Sequence, residues 1–164
     1  AEADPRDAAA LARLVEGCDA VLIALGVDTT GPTTLFSDVT RALLPAMEAA
    51  GLRRLVAVTG VGAGETRGHG GWLYDRVIFP LFTRRRYEDK ERQEALIRAS
   101  ALDWTIIRPA AFAARAGATP FEAHAEVGPD LVLRSVTREE VARFALDALE
   151  QEGWIRETPF IGRR

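Results

Sequence analysis

The sequence predicts an α/β fold built on a doubly wound parallel sheet. Three short apolar runs, 19–26, 52–60 and 103–109, alternate with helical patterns along the chain. Each run is apolar at successive positions, which is typical of strands covered by helices on both faces. Strands that alternate with helices form parallel sheets through right-handed crossovers. Because 164 residues correspond to about one domain, we expect a single domain over residues 1–164, with ligands bound beyond the carboxyl ends of the strands.

Helix signals fill the intervals between these runs. The first predicted helix, 7–17, begins with Asp7 as its N-cap and ends at a glycine. The second, 34–51, is long and amphipathic, and Pro45 within it predicts a kink or an irregularity. The remaining elements are predicted from similar signals: helices 85–100 and 137–153, strand 158–162 and, as a further strand candidate, 130–136.

Composition limits the classes of partner. The formal charge of −3 gives no reason to expect nucleic acid or an anionic membrane as a partner. No apolar stretch reaches the ~18 residues that a membrane span needs. The single cysteine, Cys18, excludes an internal disulfide and favours a reducing, cytoplasmic compartment, and its position before an apolar run predicts a small buried side chain. The two histidines lack metal-ligand spacing. We therefore expect a small-molecule substrate, no metal, and a monomer or homodimer.

A glycine-rich segment follows the second apolar run. Its spacing, Gly60-x-Gly62-x-Gly64, differs from the G-x-G-x-x-G of dinucleotide-binding turns, and no clear helix start follows it. We therefore interpret the segment as a mobile loop beside an active site. The apolar segment after it, 71–82, is predicted to be a helix packed on the sheet, with a lid or an oligomer contact as the alternative.

Tyr87 and Lys90 raise the question of an active site. Many nicotinamide-dependent enzymes use a tyrosine and a lysine four residues apart, in which the ammonium holds the ribose hydroxyls and lowers the pKa of the phenol. Here the interval is three, which still makes the two residues neighbours on a helix. The alternative is an exposed charged face with the ion pairs Glu88/Arg92 and Lys90/Glu94, and the spacing alone favours it.

The stretch "YEDKERQEALIRASALDWTIIRPAAF", residues 87–112, resembles the atypical short-chain dehydrogenase/reductase family with its NmrA-like and biliverdin-reductase-B-like members. The pattern of that family is a lysine, a glutamate four residues on and "SGLDWTIxRP"; this chain has Lys90, Glu94 and "SALDWTIIRP". The stretches "ADPRDAAALARLVEGCDAVLIALG" and "SVTREEVARFALDALE" are similar to further parts of the family, so the resemblance covers nearly the whole chain. It implies a Rossmann-like fold that binds NADP or NAD.

The chain departs from the family at its start. Family members begin with a strand, a "GxxGxxG" loop and a second β-α unit, and none of these precedes residue 1 in this sequence. We therefore expect a Rossmann-like doubly wound parallel sheet without its first β-α-β-α portion, as in a fragment. An apolar strand edge at 19–26 would then lie uncovered.

The resemblance also implies the site residues. Lys90 corresponds to the lysine that anchors the nicotinamide ribose, and Thr59 to the first serine of a pair whose second member is replaced by Gly60. Tyr87 is the third catalytic candidate. The expected cofactor-binding residues are Asp4, Ala24, Leu25, Gly26, Thr59, Lys90, Arg108, Pro109 and Ala110. The implied activity is hydride transfer to a small-molecule acceptor, for which a flavin or a quinone-like molecule is a candidate; the alternative is an NmrA-like redox sensor that binds the dinucleotide without turnover.

Overall fold

The α/β architecture is confirmed in a computed structural model, which describes residues 4–27, 31–69, 71–72, 76–77 and 84–164. Four α-helices occur in these residues: α1 (Ala8–Val15), α2 (Leu35–Ala49), α3 (Arg84–Ala99) and α4 (Arg138–Glu150). Five strands occur in them: β1 (Ala20–Ile23), β2 (Arg54–Val58), β3 (Asp103–Pro109), β4 (Glu122–His124) and β5 (Phe160–Gly162). None of the described helices is both long enough and apolar enough to cross a membrane.

The strands form one sheet in the order β1-β2-β3-β5-β4, parallel except for β4. The register pairs Ile23 with Ala57 and Val58 with Ile107, so β1, β2 and β3 end at the same edge of the sheet. Within the described residues β1 pairs only with β2, and its Leu22 is 40% exposed. This matches the uncovered edge that the sequence predicts.

Two hydrophobic cores lie on the two faces of the sheet. Helices α1, α2 and α3 cover one face, where Leu43, Met47 and Ile97 pack with Leu55. Helix α4 covers the other face with Val141, Phe144 and Ala148, which pack with Val56 and Ile107. Successive residues of β2, such as Leu55 and Val56, face opposite cores, as the side-chain alternation of a strand requires. The doubly wound arrangement is therefore confirmed.

The structure differs from the sequence prediction at the outer edge of the sheet. Residues 130–136 form no strand; Ser135 and Val136 make only isolated bridges. The edge strand is instead β4, whose three residues carry no apolar run that could have predicted it. Helix α2 continues through Pro45, so this residue does not end the helix, and the predicted kink stays a prediction.

Two further sequence predictions concern Cys18 and the apolar segment 71–82. Cys18 is exposed rather than buried, because it lies in the turn between α1 and β1, where its Sγ is 3.3 Å from the carbonyl oxygen of Leu14. The apolar segment 71–82 lies largely outside the described residues, so its predicted packing stays a prediction.

The N-terminus of α4 is tied to the end of the chain. Thr137 caps the helix, and Glu140 completes a capping box by accepting from the Thr137 backbone N–H at 2.9 Å. The same carboxylate accepts two hydrogen bonds from Arg163, whose side chain is buried. The Arg163 hydrogen bonds lower the pKa of Glu140 to about 2, and the Thr137 bonds add to this, against the opposing effect of burial.

We expect this cluster to make stability depend on acid pH. Because the pKa of Glu140 is lower in the folded than in the unfolded chain, its contribution is complete above the usual value of 4.5 and is lost as the pH falls through about 2. Glu140→Gln should therefore lose less unfolding free energy than the parent protein when urea unfolding is followed from neutral pH to about pH 2.5. Glu139→Gln, which changes an exposed neighbour, is the control; parallel pH curves for Glu140→Gln and the parent would contradict the assignment.

Candidate functional site

A buried carboxylate fixes α3 against α2. Thr34, the N-cap residue of α2, makes no side-chain capping bond. Asp89 of α3 supplies it instead: its carboxylate accepts from the backbone N–H groups of Phe36 and Ser37 at 2.9 and 3.4 Å and from the Ser37 hydroxyl at 2.5 Å. A carboxylate is favourable at a helix N-terminus because it satisfies otherwise unpaired donors. Asp89 thereby sets the position of the next residue, Lys90.

Lys90 lies at the carboxyl end of β2. Its Nζ donates to the backbone carbonyl of Thr59 at 2.9 Å and lies 4.5 Å from the centroid of the Phe36 ring. Lys90 is also the only lysine in the chain, since every other one of the 21 basic residues is arginine. The fact that Lys90 is the only lysine was therefore a signal visible in the sequence itself. The prediction of an exposed Lys90/Glu94 ion pair is wrong, because Glu94 is buried and pairs with Arg108.

Tyr87 reaches the same strand end despite the three-residue interval. Its hydroxyl oxygen fills the space in which residue 60 would carry a Cβ. A Cβ added to Gly60 would overlap that oxygen and would lie 3.3 Å from the ring carbon Cζ of Tyr87. Gly60 thus leaves the space that the phenol occupies. Tyr87 and Lys90 both line one cavity at this edge of the sheet.

We expect Gly60→Ala to reveal this contact. The added methyl group must displace the Tyr87 hydroxyl, and such overpacking costs about 1–3 kcal/mol of unfolding free energy. The positive φ of Gly60, +155°, strains an alanine in either background, but in a Tyr87→Phe background the overlapping oxygen is absent, so the same substitution should cost less. Urea unfolding of the two single variants and the double variant measures the coupling. Equal costs of Gly60→Ala in both backgrounds would place Tyr87 elsewhere.

A buried charge network lies behind the strand end. The Thr59 hydroxyl donates to Glu94 at 2.7 Å, and Glu94 accepts from Arg108 at 2.7 and 3.2 Å. Arg108 also pairs with Glu65 of the glycine-rich segment, and its guanidinium occupies the space beside Gly64, which has φ +51°. Burial alone would lower the pKa of Arg108, but hydrogen bonds and charge from Glu94 and Glu65 raise it above its usual value. The Arg108 hydrogen bond lowers the pKa of Glu65.

The glycine-rich segment is therefore tied to the sheet. Val61 donates its backbone N–H to the carbonyl of Pro109 at 2.8 Å, and Val61, Ala63 and Thr66 are buried. His69 of the same segment is partly buried and places its Nδ1 2.6 Å from the carbonyl oxygen of Leu131. The described part of this segment, which the sequence predicted to be a mobile loop, is packed against the sheet.

The cavity has a volume of about 560 Å³. Six of the sequence-predicted site residues line it: Ala24, Leu25, Gly26, Thr59, Tyr87 and Lys90. The other four do not: Arg108 and Pro109 are buried in β3, Ala110 is buried directly after it, and Asp4 is exposed and hydrogen-bonded to Arg6. The sequence reasoning missed the apolar and charged remainder of the wall: Leu22, Val27, Phe36, Val58, Phe112, Arg138, Val141, Ala142 and Ala145.

Comparison with known proteins identifies the family to which the chain belongs. Residues 1–152 match the family described as NAD(P)H-binding. The chain belongs to the NAD(P)H-binding family. The expected cofactor, NADP or NAD, is thereby confirmed as that of the family.

One sequence relative and two solved structures illustrate what the chain is similar to. A Bacillus subtilis (strain 168) protein named as an uncharacterized sugar epimerase, YhfK, is 28% identical over 155 residues, which are 92% of this chain and 64% of that protein. The chain therefore spans somewhat less than two thirds of the length of this relative. A short-chain dehydrogenase/reductase from Veillonella parvula DSM 2008, solved with NADP, matches with TM-score 0.80 and 18% identity over 99% of this chain and 71% of its own. ChuY of Escherichia coli O157:H7, an anaerobillin reductase, matches with TM-score 0.73 and 19% identity over 98% and 73%. The Rossmann-like fold is confirmed by these superpositions.

The cavity of this NAD(P)H-binding protein fits a dinucleotide in its chemistry. Its charged lining residues, among those described, are Lys90 and Arg138, both positive, and the phosphates of a dinucleotide are negative. Thr59 and Tyr87 add hydroxyl groups, and the rest of the wall is apolar or backbone, as ligand pockets usually are. Ala24 and Gly26, which follow β1, add little side-chain bulk to the wall, whereas Leu25 adds an apolar side chain.

Proposed function

We propose that the protein is an NAD(P)-dependent oxidoreductase of the atypical short-chain dehydrogenase/reductase type, which transfers hydride to a small-molecule acceptor. The observation that supports this most strongly is the convergence of Lys90 and Tyr87 at the carboxyl end of β2. Both side chains line the same cavity, although their spacing departs from the usual interval. Ligands of open α/β sheets bind at this edge.

Each residue has a distinct role in this proposal. A bound NAD(P)H supplies a hydride, that is, two electrons with one proton, to the acceptor. Lys90 anchors the ribose hydroxyls, and its charge is held near the strand end by the Thr59 carbonyl. The Tyr87 hydroxyl donates the second proton that the reduced acceptor needs, or orients a water that does. Thr59 donates its own hydroxyl proton to Glu94, so toward a ligand it acts as a hydrogen-bond acceptor.

The acceptor and the cellular location are further parts of the proposal. A flavin or quinone-like acceptor suits a site with few polar groups, since beyond the hydride it needs only the one proton that Tyr87, or a water oriented by it, supplies. The structural relative ChuY is named a reductase, which is compatible with this class. A cytoplasmic location agrees with the presence of one cysteine, which is free.

A second candidate function is an NmrA-like redox sensor that binds the dinucleotide without turnover and contacts protein partners. Two observations favour it. Gly60 stands where the resemblance places a second serine, and the Thr59 hydroxyl proton is directed to a buried carboxylate rather than to the cavity. A site of this kind has fewer groups to polarise a carbonyl acceptor.

Turnover separates the two candidates. We expect the full chain to oxidise NADPH or NADH in the presence of menadione, followed by the loss of absorbance of the reduced nicotinamide. Tyr87→Phe should lower kcat by about tenfold or more, because a positioned proton donor contributes that much or more to such reactions, and should leave the affinity for the dinucleotide nearly unchanged. Binding of the dinucleotide without oxidation by any of several quinones and flavins would instead support the sensor.

A further inference from the structure

Glu94 is a buried carboxylate directly behind the cavity wall. It follows Lys90 by about one turn of α3, and the two side chains reach the same residue, Thr59, at the end of β2. Lys90 donates to the backbone carbonyl of Thr59 at 2.9 Å, and Glu94 accepts from the Thr59 hydroxyl at 2.7 Å. Thr59 lines the cavity, whereas Glu94 is 4% exposed and does not line it. Glu94 therefore acts on a bound ligand through Thr59.

Arg108 fixes the direction of the hydrogen bond between Thr59 and Glu94. Its guanidinium donates to both carboxylate oxygens of Glu94, to Oε2 at 2.7 Å and to Oε1 at 3.2 Å. A carboxylate held in this way has no proton to donate, so the hydroxyl gives its single proton to Glu94. A further neighbour of the hydroxyl, the carbonyl oxygen of Ile107 at 3.4 Å, is also an acceptor. Toward the cavity the Thr59 oxygen can therefore only accept.

The wall thus offers a ligand two opposite hydrogen-bond polarities at neighbouring points. The Lys90 ammonium can only donate, and the Thr59 hydroxyl can only accept. A ketone oxygen, which carries no proton, suits Lys90 but leaves Thr59 without a partner. A hydroxyl or an amide N–H suits Thr59. A reduced nicotinamide nucleoside carries both of these donors, in its ribose hydroxyls and in its carboxamide.

We infer that Glu94 is a positioning residue that holds the Thr59 hydroxyl as a hydrogen-bond acceptor, so that the group bound at Thr59 is a hydroxyl or an amide N–H of the dinucleotide. This inference rests on the proposed function for the identity of the ligand, but it requires binding only and no turnover. It differs from a role in which Thr59 donates to the carbonyl oxygen of an acceptor.

Glu94→Gln tests the inference because it reverses this polarity. The carbonyl oxygen of the new amide stays with the shorter Arg108 bond, and the amide N–H₂ group turns to Thr59. The hydroxyl then accepts from the amide, and its proton meets the donor of the ligand. We expect the Kd of the full chain for NADPH or NADH, measured by nicotinamide fluorescence, to rise about five- to tenfold. Thr59→Val should cause a similar rise, whereas Thr59→Ser keeps the hydroxyl and should bind within about twofold of the parent.

The double variant separates positioning from a general loss of structure. In a Thr59→Val background Glu94 has no hydroxyl to orient, so adding Glu94→Gln should change the Kd by less than about twofold. Losses that simply multiply would overturn the inference, since a general loss of structure does not depend on the hydroxyl. Thr105→Val is the matched control, because it removes another buried threonine hydroxyl, outside the cavity, and should leave the Kd unchanged.

The Thr59 variants also decide the question if Glu94→Gln does not fold. They leave the ion pair of Glu94 with Arg108 in place, so they test the hydroxyl alone. Equal affinities of Thr59→Val and Thr59→Ser for the dinucleotide would overturn the inference. That result would leave the proposed enzyme intact, whereas the expected pattern of affinities without any turnover would support the inference and contradict the enzyme.

Reduced acetylpyridine adenine dinucleotide distinguishes the two possible donors. This analogue of NADH has a methyl group in place of the carboxamide N–H₂ and keeps the ribose. If the carboxamide donates to Thr59, the losses caused by Thr59→Val and Glu94→Gln should disappear with the analogue. If a ribose hydroxyl donates, the same losses should persist. A parent chain that binds neither NADPH nor NADH would overturn the inference.

Discussion

Lys90→Ala is expected to lower kcat for NADPH oxidation by at least about tenfold and to weaken dinucleotide binding, while the protein remains folded. The substitution removes the ammonium that lies 2.9 Å from the Thr59 carbonyl at the strand end. Fixed charges and donors at a reacting centre commonly contribute that much or more to the rate. Steady-state kinetics with a separate binding titration distinguishes the two effects, since only a role in turnover changes kcat at saturating dinucleotide.

Two further variants make this result interpretable. Lys90→Met keeps most of the aliphatic stem against Phe36 and removes only the charge, so it should resemble Lys90→Ala in kcat and exceed it in stability. Arg41→Ala removes an exposed charge of α2, outside the cavity, and should change neither quantity by more than about twofold. A Lys90→Met protein with the kcat of the parent would contradict a catalytic role for the ammonium.

Arg108→Met is expected to reduce the free energy of unfolding by about 3–5 kcal/mol, the usual cost of removing one partner of a buried ion pair. Arg108 is 1% exposed, and its removal leaves the buried Glu94 carboxylate without its main cationic partner. For a protein of this size each kcal/mol corresponds to about 2–4 °C in Tm, so the transition should fall by about 6–20 °C. Urea unfolding and calorimetry measure both quantities.

The two carboxylates bound to Arg108 provide the controls. Adding Glu94→Gln to Arg108→Met removes the uncompensated charge and should recover part of the loss. Glu65→Gln should cost less than about 1 kcal/mol, because the Glu65 side chain is 65% exposed and solvent screens its ion pair. If Glu65→Gln were as damaging as Arg108→Met, or the double variant were no more stable than Arg108→Met, the buried Glu94–Arg108 pair would not be the main source of the stabilisation.

The fold was largely predictable, because its signals are local. Continuous apolar runs identified β1, β2 and β3, and the N-cap residues Asp7 and Thr137 marked the starts of α1 and α4. These patterns depend only on neighbouring residues. The edge strand β4 was missed because three residues with one alanine between two polar side chains carry no periodic signal, and their pairing with β5 depends on contacts distant in sequence.

Six of the ten predicted site residues line the cavity, but nine lining residues and the arrangement of the site were not predictable from the sequence. Charged residues on a helix are normally exposed, which is why α3 resembled a solvated face. Asp89 and Glu94 are buried because their partners come from other elements, the N-terminus of α2 and the end of β3. The contact between Tyr87 and Gly60 likewise joins two distant segments, and no spacing rule specifies it.

The single lysine allows the central claim to be tested directly, since protein grown with [6-¹³C]lysine gives one side-chain signal from Lys90. The measurement is the position of that signal during titration of the full chain with NADPH, with NADH in a parallel titration. We predict that the signal shifts and saturates at one dinucleotide per chain, because the ammonium contacts the bound ribose. A signal that does not move at concentrations that saturate the protein, or a chain that binds neither dinucleotide, would contradict the assignment of Lys90 and of this cavity to the cofactor.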